Sequence, residues 1–257
     1  MNLAVSALDR RPESPAQRSK FARVRNAQIE YERKLRKIAK SVGHIVAGVS
    51  SGDPIESSPA IREALHRYSG IVAQWARRAA ASMLADVMRR DMDAWNSVAR
   101  NMSRALAEEI RQAPTGQAMR ELLEDQVELI TSIPLEASRR VHSLAIKGME
   151  TGGRAEDIVK EIMRSGEVAE SRARTIARTE TSRASSVLLQ TRATHVGSTH
   201  YIWRTSQDVD VRPLHRKLNG QVFAWSDPPV AGSNGERSHP GQIYNCRCFC
   251  EPIIPEE

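Results

Sequence analysis

Asp208, Asp210, His215, His239, Cys246, Cys248 and Cys250 crowd one stretch near the C-terminus of a sequence otherwise poor in metal-binding side chains. Imidazole nitrogen and thiolate sulfur are ordinary zinc ligands, and a structural zinc site takes four of them in a tetrahedron. His215, His239, Cys246 and Cys248 meet that count. Four protein ligands would leave no position for water, so such a site would supply stability, about 10 kcal/mol or more in a small domain. The thiol spacing pulls the other way. In extended chain the alternate side chains of Cys-x-Cys stand roughly 6–7 Å apart, too far for one ion without a bend. The competing expectation makes the cysteines small buried apolar residues of a last strand and the histidines ordinary hydrogen-bonding groups. An odd, tightly clustered set of thiols cannot build a disulfide framework, and a reducing compartment fits it best.

A second group sits on a helical stretch: Arg174 and Arg178 share a face at i, i+4, with Glu180 and Arg183 close behind. Guanidinium groups so placed could grip phosphate, which makes Arg174, Arg178 and Arg183 the candidates for nucleic-acid contact. The same face could instead anchor its helix through ion pairs within the fold. No Gly-rich phosphate loop, nucleophile elbow or His-Glu-x-x-His is present. The remaining enzymatic possibility is a metal-dependent nuclease built on His215, His239 and Asp208, since hydrolysis needs a held metal and an activated water. The expectation drawn from the residues is a protein that is not an enzyme.

The elements that must position these residues follow from apolar spacing. Between Arg18 and Val49, Phe21, Val24, Tyr31, Leu35, Ile38, Val42 and Ile45 recur at 3–4 residue intervals, predicting a long amphipathic helix. A Gly/Pro/Ser-rich break over 50–59 precedes a second apolar series from Ile61 to Ile110, one very long helix or two. Ala113-Pro114-Thr115-Gly116 ends it, and a further helix is expected over about 117–149 with a kink at Pro134. Two shorter helices follow, about 155–164 and 167–196. Then the composition turns aromatic, and alternation over 201–204 and 221–225 predicts strands. The fold class expected is α+β: a long helical N-terminal region, bundle or hairpin, over 18–150, then a small C-terminal α+β domain with a short β-sheet over 151–257, with a flexible segment at 1–17.

With 40% hydrophobic residues the chain can bury a substantial core or two modest ones. Its net charge of +7 and pI near 9.7 permit contact with phosphates or acidic surfaces without requiring it. The N-terminal apolar patch precedes its arginines, the wrong order for a secretory signal, and no stretch is long and apolar enough for a membrane span, so a soluble protein is expected.

Several motifs stand in a fixed order: Ile176-Ala177-Arg178-Thr179-Glu180-Thr181, a strand with Trp203, Asp208, Val211-Arg212-Pro213-Leu214-His215, Leu218-Asn219-Gly220, His239-Pro240 and Asn245-Cys246-Arg247-Cys248. In this order they resemble the head morphogenesis domain of the family named after protein F of phage Mu, over about residues 150–254. The resemblance implies a minor capsid protein of a tailed bacteriophage, associated with the portal vertex and inner head during procapsid assembly and DNA packaging. It implies the portal protein, the major capsid or scaffolding protein and packaged DNA as partners. The implied location is the virion, at the head interior or portal vertex, and the host cytoplasm during assembly. A DNA-binding internal head protein ejected with the genome is the alternative. Many relatives carry Cys-Pro-x-Cys where this chain has Arg212-Pro213-Leu214-His215. In that setting either His239 supplies a zinc ligand, or Arg212 replaces the metal by bonding Asp208 or Asp210 within a polar cluster that also holds Arg178 and Glu180.

Overall fold

The structure, a computed structural model, describes residues 24–50, 53–99, 104–151 and 155–255. The segment 1–17, expected to be flexible, lies outside the described residues, as do Arg18 to Arg23 of the first predicted helix.

Seven helices precede and frame three short strands among the described residues. Helix α1 covers Arg25–Val49, α2 Ser58–Ala99, α3 Arg104–Gln112 and α4 Thr115–Thr151; α5 covers Ala155–Met163 and α6 Ser165–His195. Strand β1 is His200–Arg204, helix α7 Pro213–Leu218, β2 Val222–Ala224 and β3 Phe249–Ile253. The α+β class is therefore as expected. The described part of the apolar series from Ile61 to Ile110 lies on α2 and α3, and α4 runs on through Pro134.

Local chemistry accounts for several boundaries. Asp53 Oδ1 accepts the Ile55 amide at 2.8 Å, an Asx-type turn that leads into α2, where Pro59 occupies the first turn and needs no amide partner. Helix α5 places Glu156 and Asp157 in its first turn and Lys160 in its last, matching the helix dipole at both ends. Gly197, at φ 81°, ends α6 in a left-handed conformation that costs a glycine nothing. Pro213 starts α7 for the same reason that Pro59 suits α2.

By compactness the described residues form two units, one drawn from those within 24–28, 83–122 and 178–255, the other from those within 29–82 and 123–177. Among its described residues the second carries helices and no strand. Tyr31, Leu35, Ile38 and Val42 of α1, Ile61 and Leu65 of α2, Ile130 and Ile133 of α4, and Ala173 of α6 are buried in it. Its polar ties include Tyr31 Oη donating to Gln126 Oε1 at 2.7 Å and Arg36 paired with Glu170 at 2.9 Å. Gly43 and Gly166 let α1 and α6 come so close that a Cβ built on Gly166 would stand 2.7 Å from Gly43 Cα.

The first unit holds the sheet, ordered β2-β1-β3 and antiparallel throughout. Tyr201 pairs with Phe223 on one side and Pro252 on the other; Trp203 pairs with Cys250. Trp95, Ile110, Leu189, Ala193, Tyr201, Trp203, Trp225 and the three cysteines form its core. Within this core Arg192 of α6, only 2% exposed, donates from Nε to Asp91 Oδ2 and from Nη1 to the Ile110 carbonyl, both at 2.7 Å. Burial pushes the Asp91 carboxyl up to about 6, against the opposing pull of Arg192.

Candidate functional site

The site begins where α6 meets the last loop. Asn245 adopts φ 56°, a left-handed conformation that Asn tolerates better than most residues, and so turns the chain just before Cys246. Two bonds to α6 hold the bend: the Asn245 amide donates to Thr179 Oγ1 at 3.0 Å, and Arg178 Nη1 donates to Asn245 Oδ1 at 3.1 Å. Gly241 permits the close packing that precedes it. Its φ is 82°, and a Cβ there would stand 3.0 Å from the Cys248 carbonyl oxygen and 3.2 Å from that of Ser182.

After this turn Cys246 and Cys248 are not in extended chain. The Cys248 amide donates to Cys246 Sγ at 3.4 Å, so the backbone curls around the first sulfur and brings the second to the same side. This is the bend that an extended Cys-x-Cys lacks. His215, on α7, faces both thiols: its Nδ1 lies 3.6 Å from Cys246 Sγ and 3.5 Å from Cys248 Sγ. Its other nitrogen, Nε2, lies 3.0 Å from the Ala231 carbonyl oxygen, which can only accept. Nε2 therefore carries the proton, and in the neutral ring the Nδ1 lone pair points at the sulfurs. All three side chains are buried, and their ligand atoms lie within 4.8 Å of one another. Trp203 packs edge-on to the imidazole, ring centroids 5.3 Å apart.

The thiols share charge unequally. The hydrogen bond from Cys248 holds the Cys246 thiol well below its ordinary range, while the same contact and burial push Cys248 up. The Cys246 thiolate in turn raises His215. Two close sulfurs and an oriented imidazole are a donor set for a thiophilic divalent metal, and the carbonyl on Nε2 is the kind of outer partner that fixes a ligand histidine.

His239 is not with them. It is the fourth residue expected, but its Nδ1 lies 3.1 Å from Tyr201 Oη and its Nε2 3.4 Å from Gln190 Nε2, and burial lowers its pKa. Among the described residues, only His215, Cys246 and Cys248 gather as possible metal ligands, three donors rather than the four expected. The nuclease set of His215, His239 and Asp208 is likewise not assembled. Cys250 belongs to β3, fully buried with Sγ 3.9 Å from Ser186 Oγ; this thiol alone fits the last-strand expectation.

The polar cluster forms around a different arginine from the one expected. Arg247, between the two cysteines, reaches Asp208 Oδ1 at 2.8 Å and Asp210 Oδ2 at 3.1 Å, while Arg212 donates to the Tyr244 carbonyl at 2.9 Å. Each arginine ties a different part of the 206–212 segment to the cysteine loop. In the sequence Arg247 stands only as the spacer of Cys-x-Cys, which hides this role. Glu180 is buried and pairs with Arg183 at 3.6 Å, whereas Arg178 serves the Asn245 turn. Arg174, within the helical unit, pairs with Glu32 at 3.4 Å. Arg174, Arg178 and Arg183, the candidate phosphate contacts, thus each engage a protein partner.

A cavity of about 290 Å³ opens beside the cluster. His215, Cys246 and Cys248 form one wall; Arg178, Arg212, Arg247 and Asp210 form much of the rest.

Comparison with known proteins agrees with the order of motifs. Residues 139–251 match the family described as phage Mu protein F like protein, in agreement with the resemblance drawn from the order of motifs. An uncharacterised protein of Haemophilus influenzae strain Rd is 33% identical over 128 residues, covering 50% of this chain and 28% of that protein. No solved structure matches. Among the described residues, no helix is long and apolar enough to cross a membrane.

Proposed function

We propose that this chain, whose residues 139–251 match the Mu F-like family, is a minor capsid protein of a tailed bacteriophage that acts at the portal vertex and inner head during procapsid assembly and DNA packaging. The observation that carries this reading is the family match itself, which spans the sheet, the cysteine loop and the helix that holds it. The named motifs serve one another structurally: Arg178 and Thr179 hold the Asn245 turn, and Arg247 holds Asp208 and Asp210. That use suits a part whose task is shape. Its partners in this reading are the portal protein and the major capsid or scaffolding protein, and its place is the virion.

In the same reading His215, Cys246 and Cys248 hold one zinc ion, which would tie α7 to the loop before β3. Such an ion would fix two short segments of a unit with a small sheet, where metal binding adds directly to folding free energy. Total zinc in purified protein, compared with a double Cys246→Ser/Cys248→Ser variant, tests this part; equal zinc in both would remove the ligand assignment.

Co-sedimentation with the purified portal ring of the same phage, at two salt concentrations and after nuclease treatment, tests the assembly role. Stoichiometric binding that survives nuclease is expected. Binding lost with nuclease would favour a DNA-bound internal head protein, whose affinity should fall steeply with salt through counterion release. No binding under any condition would count against a portal-directed role.

A further inference from the structure

Building on the zinc reading, we propose that the metal's fourth ligand comes from outside the chain: a carboxylate that enters the arginine-lined cavity and is held there by Arg178 and Arg212. Zinc takes four ligands, and three protein donors leave one position for water or another ligand. Every histidine and cysteine of the sequence is among the described residues, and only His215, Cys246 and Cys248 come together. Among the described residues the site is therefore one protein donor short.

The cavity adjoins these three donors, and its remaining wall selects by charge. Arg247 is committed to Asp208 and Asp210, but the other two arginines are only partly used. A guanidinium carries five N–H donors. Arg178 uses Nη1 on Asn245, and its Nε is buried without a hydrogen-bond partner. Arg212, exposed, uses Nη2 on the Tyr244 carbonyl. Two thiolates and a neutral imidazole bring a divalent ion to zero net charge, so an entering carboxylate adds a single negative charge that these guanidinium groups offset. Carboxylate oxygen is an ordinary zinc ligand, and its second oxygen matches the planar fork of arginine. A volume of about 290 Å³ admits a side-chain-sized acid, and the polar wall disfavours an apolar one. The acid is either free or carried by another protein on an aspartate, glutamate or chain terminus. Asp210 is the internal competitor, since it lines the same cavity, but Arg247 holds its Oδ2 at 3.1 Å.

The test uses the full chain loaded with Co²⁺ in place of zinc. A thiolate-to-cobalt charge-transfer band that disappears in Cys246→Ser reports the metal site itself; if no such band forms, the zinc reading fails and takes this proposal with it. With the band present, acetate should shift the cobalt ligand-field bands saturably. Arg178→Ala and Arg212→Ala, compared per bound cobalt because both arginines also hold the cysteine loop, should each weaken acetate binding by about tenfold, the loss of a charge-assisted hydrogen bond. A triglutamate peptide binding more tightly than acetate would point to a protein-borne acid, and equal affinity to a free one. Three results would overturn the proposal: bands indifferent to acetate, bands changed by Asp210→Asn but not by acetate, or an acetate shift equal in all arginine variants.

Discussion

Arg178 of α6 donates to Asn245 of the cysteine loop, Nη1 to Oδ1 at 3.1 Å, across 67 residues of sequence. The two residues lie in separate motifs, and their bond fixes the left-handed turn that curls the chain around Cys246.

The turn can be dissected by replacing Asn245. Asn245→Gly keeps the left-handed backbone and loses the side-chain bond, and should cost about 1 kcal/mol. Asn245→Ala loses the same bond and adds roughly 1–2 kcal/mol of backbone strain. Urea unfolding of both variants would show it; equal losses would mean that the backbone conformation contributes nothing.

His215 and His239 should separate cleanly. Loss of the His215 imidazole in His215→Ala removes a proposed ligand and should lower bound zinc, whereas His239→Ala should keep zinc content and lose only the contacts with Tyr201, Gln190 and Trp225. Metal analysis after dialysis reads both. Zinc lost from the His239 variant alone would restore the ligand set read from the sequence.

Arg192 and Asp91 form a pair inside the core, with side chains 2% and 5% exposed. Arg192→Ala strands a buried carboxylate and should cost about 3–5 kcal/mol, well above any exposed pair such as Arg77 with Glu124. The pH dependence has a definite sign. Burial raises the Asp91 pKa from 3.8 in the unfolded chain to about 6, so between those values the folded state binds more protons and the contribution of Asp91 to stability falls as pH rises. Below pH 4 that penalty is absent and above about 6 it is complete, roughly 3 kcal/mol at most. Asp91→Asn should therefore lose least, relative to wild type, at pH 7 and most near pH 4, as denaturation at the two pH values would show. An unchanged difference would place the Asp91 pKa at its ordinary value.

The two glycines where α1 and α6 cross should differ. Gly166→Ala drives a Cβ to 2.7 Å from Gly43 Cα and should destabilise by about 1–3 kcal/mol, since backbone must move. Gly43→Ala meets Gly166 Cα at 3.5 Å, an ordinary contact, and should be neutral or stabilise by about 0.5–1 kcal/mol through helix propensity. Thermal melts of the two variants compare them directly, and a stable Gly166→Ala would refute the close crossing.

The sequence by itself determined the helical stretches of α1 to α6, the class and the residue types at the site. Apolar spacing is local, so Tyr31, Leu35, Ile38 and Val42 announced α1 and are buried in it. Alternation announced β1 and β2, but β3 was seen only as a strand for the cysteines, and α7 was hidden inside a motif that begins with Arg212-Pro213. The order of motifs sufficed for the resemblance to the family that residues 139–251 match, because order is a property of sequence.

Which residues meet is another matter. Cys-x-Cys in extended chain cannot share an ion, and only the turn at Asn245, held by α6 from far away in sequence, brings both sulfurs to His215. His239 and Arg212 had the right chemistry for the roles expected of them, yet tertiary packing gave His239 to Tyr201 and Arg212 to the Tyr244 carbonyl, and gave both aspartates to Arg247. Residue type sets what a side chain can bind. The choice among equally suited partners depends on distances of a few ångströms, which long-range packing sets and which neither composition nor spacing encodes locally.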